Sequence, residues 1–183
     1  MSLTRRELYL LNLYRNSELH GALLMGRIAR SISNPEVLLG ATRHCATEAQ
    51  HAALLTEVIT SLGGMLEPAG ETIQEHYSEN GGIPKDLVDL LVLSEVLEAR
   101  VLASYRTHLG RANVHPRVRE VLEHIVHEEE DHSGHQGWAE KWLATLPAER
   151  VQFARSKWAA IDARVAAGFH VQIAEMTDEG DAS

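Results

Sequence analysis

The stretch Val126-His127-Glu128-Glu129-Glu130-Asp131-His132 decides the reading of this chain, because its Glu129-x-x-His132 repeats an earlier Glu48-Ala49-Gln50-His51. Each motif follows a lone glutamate at nearly the same distance. Glu18 stands 30 positions before Glu48, and Glu98 stands 31 before Glu129. On a helix, residues i and i+3 share a face, so Glu48 with His51, and Glu129 with His132, can each reach one centre. A lone Glu on one helix and Glu-x-x-His on the next, repeated once, supplies four carboxylates and two imidazoles. That is a ligand set for two metal ions in the core of a four-helix bundle.

The positions of these residues carry more weight than the motif. A single Glu-x-x-His is to be expected by chance in a chain with 26 acids and 11 histidines. Here Glu129 continues the apolar spacing of Leu122 and Ile125, and Glu48 that of Ala41 and Cys45. Glu18 lies seven residues from both Leu11 and Met25, and Glu98 seven from Leu91. All four carboxylates therefore fall on stripes expected to be buried. A buried, unpaired carboxylate is costly and tends to take up a proton. Two divalent cations would cancel the charge of four. Oxygen-rich sites with one imidazole per metal suit iron or manganese, whereas zinc more often takes fewer carboxylates in tetrahedral geometry. Iron is favoured, with manganese as the alternative.

The remaining sequence fits an all-α chain. Its 183 residues suffice for one domain with a core, and aromatic residues make up only 5%, while helix-forming residues dominate. The periodicity predicts helices over 4–31, 35–63, 85–110, 116–145 and 148–176. Asn34-Pro35 reads as an N-cap followed by proline at the first helical position. Phe153, Trp158, Ile161, Val165 and Phe169 give the fifth helix an apolar face. Between the second and third helices, residues 63–84 hold five glycines and two prolines and read as a connection. Extended, such a segment spans roughly 70 Å, against about 42 Å for a 28-residue helix. It can cross the bundle end to end, letting the third helix run parallel to the second. The expected domain is 1–176, with 177–183 a disordered acidic tail.

Composition narrows the function classes. The net charge of −9 and the lack of a basic stripe argue against nucleic-acid binding. One cysteine, Cys45, excludes an intrachain disulfide and a cysteine-held iron–sulfur cluster. There is no uncharged apolar run of membrane-spanning length and no signal-peptide pattern at the N-terminus, so a cytoplasmic protein is expected. Further candidates surround the six ligands. Glu95, three before Glu98, is an alternative ligand or a carboxylate at the bundle edge. Tyr14 and Tyr105 flank Glu18 and Glu98 at helical spacing as donors to ligand carboxylates or as core filler. His44 and His135 are either ligand-supporting groups or helix-face histidines. Cys45 reads as a small buried residue, and Trp138, Trp142 and Trp158 as packing between the fourth and fifth helices.

Over roughly residues 8–145 these motifs resemble the ferritin-like di-iron carboxylate superfamily. The segment 126–132 resembles the last bundle helix of bacterioferritins and rubrerythrins, and Glu98-Ala99-Arg100 resembles the MiaE-type tRNA-modifying di-iron monooxygenases. The resemblance implies a ferritin-like four-helix bundle with one long crossover, followed here by a C-terminal fifth helix. It implies Glu18 and Glu98 as terminal ligands, Glu48 and Glu129 as bridging ligands, and His51 and His132 as nitrogen ligands. Several departures mark the limits of the likeness. A single cysteine excludes the rubredoxin-like site of rubrerythrins, Ala49 stands where bacterioferritins place a haem-binding methionine, and the fifth helix is long. The expected activity is an oxidoreductase acting on O2 or peroxide together with an unidentified substrate or electron donor. The alternatives are a ferroxidase and iron store, and a non-catalytic helical module that uses the fifth helix as a homodimer contact.

Overall fold

The computed structural model describes residues 2–67, 72–84, 86–133 and 137–175, and the predicted tail 177–183 lies outside them. Among the described residues there are seven helices and no strand: α1 (Arg5–Ala29), α2 (Pro35–Ser61), α3 (Ile73–Gly81), α4 (Leu87–Leu109), α5 (Pro116–Ser133), α6 (Trp138–Leu143) and α7 (Ala148–Glu175). The helix starts follow local chemistry. Thr4 Oγ1 accepts from the Glu7 N–H, Asn34 Oδ1 from those of Glu36 and Val37, and Asp86 Oδ1 from that of Asp89. Each cap satisfies amide groups that the first turn leaves without a partner.

Two elements differ from expectation. The connection 63–84 contains α3, whose start is closed by a capping box. Thr72 Oγ1 accepts from the Glu75 N–H, and Glu75 accepts from the Thr72 N–H at 2.7 Å. It ends at Gly82, whose φ of +73° suits a residue without a side chain. The predicted helix 116–145 is two helices. Gly137 takes ψ of 140°, outside helical geometry, and starts α6 as a separate element.

Three apolar clusters show how the helices lie. Leu10, Leu11 and Tyr14 of α1, Leu55 and Ile59 of α2, Tyr105 of α4, and Val118, Leu122 and Ile125 of α5 pack together at one end. At the other end, Met25 and Ile28 of α1 meet Val37 and Ala41 of α2, with Leu87 and Leu90 of α4 against them. The start of α4 thus lies by the start of α2, and its end by the end of α2, so the two run in the same direction. α1 runs antiparallel to both. The third cluster joins α7 to α3 and α4 through Trp158, Ile161, Val165, Tyr77, Leu91 and Val92. Trp158 is fully buried and its Nε1 donates to Asp89 at 3.0 Å. Trp138 and Trp142 lean on the α1–α2 end as well as on the α7 cluster, and Trp138 lies against Gly40 of α2. Phe153, expected on the inner face of the last helix, is 74% exposed, because that face is set by Val151, Ala154 and Trp158. Phe169's side chain lies outside the description.

Candidate metal centre

Between the two ends of the bundle the apolar stripes are interrupted by acids. Glu18, Glu48 and Glu129 are buried, His51 is fully so, and Glu98 is half-buried. Ligand atoms of Glu18, His51 and Glu129 all lie within 4.8 Å of one another. His51 Nδ1 is 3.1 Å from Glu129 Oε1 and 3.5 Å from Glu18 Oε2. Beside this trio, His44 Nε2 sits 3.2 Å from Glu48 Oε1 and 3.4 Å from Glu98 Oε1. Glu18, Glu48, Glu98 and Glu129, from four different helices, line one cavity of about 40 Å³ together with His44, Ser17, Gln74 and Ser94. That volume holds a few water-sized groups.

The supporting contacts fix several of these side chains. His51 Nε2 lies 3.0 Å from Glu128 Oε2, which sets the ring orientation and turns Nδ1 toward Glu18 and Glu129. Tyr105 donates a hydrogen bond to Glu18, and the Ser94 hydroxyl contacts Glu98 at 3.1 Å. Gly21, one turn after Glu18, makes room for Glu48: a Cβ there would stand 2.6 Å from Glu48 Oε2. Leu24, Met25, Leu97 and Val101 supply the apolar part of the lining.

Electrostatics show what the cluster lacks. No lysine or arginine is among the described residues lining the cavity. Burial, and then the charges of Glu18, Glu129 and Glu98, push the Glu48 carboxyl well above the usual range. Burial alone would lower the His51 pKa, but Glu129, Glu18 and Glu128 outweigh it and raise it to about 11. Burial also works to raise Glu18, yet bonds to His51, Glu48 and Tyr105 bring it below its ordinary value. With protein groups alone, burial and mutual repulsion oppose the charge on Glu48 while the surrounding carboxylates favour the positive form of His51, so the cluster draws positive charge. His51 Nδ1 is also buried without a well-formed hydrogen bond, although two carboxylates flank it. Glu128 engages Nε2, so a cation that displaces the Nδ1 proton would meet a nitrogen ligand set between two carboxylates, and the donor set fits a metal.

The other candidates divide. Tyr14 donates to the Ser104 carbonyl at 3.4 Å, not to a carboxylate, and meets the Tyr105 ring edge-on at 4.7 Å. Glu95 turns to α7, where Arg155 lies 3.5 Å away and also binds Glu140. It is not part of the cavity wall, so the structure does not bring it to the site. Burial foremost, with Glu140 nearby, raises its pKa to about 7 against the opposing pull of Arg155. Cys45 is half-buried, its Sγ 3.1 Å from the Ala22 carbonyl. The side chain of His132 and all of His135 lie outside the described residues. Sequence reading missed Gly21, Gln74, Ser94 and Glu128 as parts of the site. Only Glu128 carried a visible signal, as the neighbour of Glu129. No known protein family, curated protein or solved structure matches the chain.

Proposed function

We propose that this chain is a ferritin-like di-metal oxidoreductase that uses two iron ions to act on O2 or peroxide. The observation that supports this reading best is the convergence of four glutamates from four helices on one cavity, with His51 Nδ1 set between two of them. The shared direction of α2 and α4 agrees with a bundle containing one long crossover. Glu18, Glu48, His51, Glu98, Glu129 and His132 would hold the ions. Bound iron would supply the redox chemistry, accepting electrons from a donor and delivering them to O2 or peroxide.

The chain's own residues have distinct tasks. Glu128 holds the His51 ring, and Tyr105 holds Glu18, so these ligands are oriented before any ion arrives. His44 lies between Glu48 and Glu98 and keeps the two carboxylates together. Leu24, Met25, Leu97 and Val101 limit water at the centre and strengthen the interactions inside it. Manganese suits the same donors and is the alternative metal.

The test is anaerobic loading with Fe(II), then exposure to O2, followed by optical and Mössbauer spectroscopy. Rapid oxidation of a coupled iron pair is expected, faster than that of free iron in the same buffer. Failure to bind iron, or oxidation no faster than in buffer, would overturn the proposal. Continued uptake well beyond two ions per chain by a very large particle would favour an iron store instead.

A further inference from the structure

Glu18, His51 and Glu129 form one trio of an imidazole and two carboxylates. Glu48 and Glu98 stand outside it, and a different imidazole meets both. His44 Nε2 lies 3.2 Å from Glu48 Oε1 and 3.4 Å from Glu98 Oε1. Among the described residues that line the cavity, His44 is the one histidine. Its place follows from the sequence. His44, Glu48 and His51 fall at i, i+4 and i+7, on one face of α2, so a single helix brings an imidazole to either side of Glu48. Glu98 arrives from α4, with the Ser94 hydroxyl against it at 3.1 Å.

The second trio therefore matches the first in composition and shares no residue with it. Each sets one imidazole of α2 against carboxylates from two helices, α1 and α5 in the first, α2 and α4 in the second. One ring N–H cannot give a full hydrogen bond to two carboxylates, whereas one divalent cation can bind all three groups and balance their charge. The trios differ in exposure. The side chains of His51 and Glu18 are 0% and 3% exposed, those of His44 and Glu98 11% and 24%. We infer that His44 is itself a metal ligand, the nitrogen donor of a second cation site formed with Glu48 and Glu98. This inference rests on the di-metal reading proposed above and makes the two ions inequivalent. The more exposed site should give up its ion first.

Anaerobic Fe(II) loading of the full chain, read by elemental analysis after desalting and by Mössbauer spectroscopy without exposure to O2, tests it. Two variants separate a ligand from a supporting group. His44→Gln keeps a hydrogen-bond donor for the carboxylates, whereas His44→Glu keeps a metal ligand and loses the donor. His44→Gln should hold about one ion and lose affinity for the other by more than the roughly 10–100-fold that removal of a supporting group costs. His44→Glu should regain the second ion. In wild type, a chelator should first remove the spectral component that His44→Gln lacks. Two ions in wild type and also in His44→Gln, or weaker binding in His44→Glu than in His44→Gln, would overturn the inference and leave the paired centre standing. Wild type without iron would overturn the paired centre and this inference with it. Should the variants lose their helical circular dichroism, diethyl pyrocarbonate labelling of wild type decides. Fe(II) should protect His44, and labelling that holds or rises would show the imidazole released from its carboxylates rather than bound.

Discussion

Glu7 and Glu48 are both buried, yet their environments act on them in opposite directions. Burial works to raise the Glu7 pKa, but hydrogen bonding to His108, the His115 N–H and the nearby histidine charge bring it below the usual carboxylate value. A carboxyl with a depressed folded pKa stabilises the fold above its unfolded pKa of about 4.3, and that contribution is lost as pH falls through the lower folded value. Glu7→Gln should therefore cost about 1–3 kcal/mol at pH 7. Its deficit against wild type should shrink as urea unfolding is repeated from pH 6 down to pH 3, and a pH-independent deficit would contradict the assignment. Among the described residues, the charged groups around Glu48 are other acids and the nearby His44. Gly21 gives a sharper test of its placement. Gly21→Ala should raise helix stability by about 0.5–1 kcal/mol while pushing Glu48 aside, so the melting temperature of metal-free protein should hold or rise as metal affinity falls about ten-fold. At this scale the sequence was most legible where a polar residue broke an apolar stripe. Glu18, Glu48, His51 and Glu129 stand out in that way. Gly21 and Ser94 do not, since a small residue on a helix face gives no sign of what will pack over it. The link from His44 to Glu98 crosses between helices, and spacing along one helix cannot reveal it.

Among the elements, α3 marks where local reading fell short. Its capping box, Thr72 and Glu75, was present in the sequence, but the glycines and prolines around it dominated the reading of 63–84. The break between α5 and α6 was hidden for the opposite reason, because Leu122 and Leu143 keep a helical period across it and both are buried. They belong to different clusters, so the period carried through although the helix did not. Starts with a cap and a proline, as at Asn34-Pro35, were the most readable boundaries. What joins α3, α4 and α7 is Asp162, which receives two hydrogen bonds from Arg100, at 3.0 and 2.6 Å, and one from Tyr77. Asp162→Ala leaves the Arg100 guanidinium and the Tyr77 hydroxyl without their acceptor. It should lower stability by about 2–3 kcal/mol in urea unfolding, with circular dichroism of the folded state unchanged. A loss below about 0.5 kcal/mol would show that the apolar contacts of Trp158 and Ile161 hold the junction alone.

For the molecule as a whole, the fold places a destabilising cluster of acids at mid-bundle, between two apolar ends that are well packed. The all-helical architecture was legible from periodicity, whereas the length of the connection 63–84 only allowed, and did not fix, the direction of α4. The side chain of His132, needed to complete the six ligands, lies outside the described residues. If cations relieve the cluster, saturation at one hundred times Kd should stabilise the fold by about 2.7 kcal/mol. That corresponds to a melting temperature about 5–10 °C higher, reversed by chelation. Glu48→Gln should raise the melting temperature of metal-free protein, because a neutral amide replaces a carboxyl whose ionisation burial and the neighbouring acids oppose, and abolish the rise on adding metal. The most direct measurement is elemental analysis after anaerobic Fe(II) loading and desalting, on wild type, Glu48→Ala and Glu129→Ala. Wild type should retain about two iron ions per chain, and each variant less than half as much. Wild-type protein without stoichiometric iron, or variants that keep the full amount, would contradict a paired-cation centre built from these glutamates.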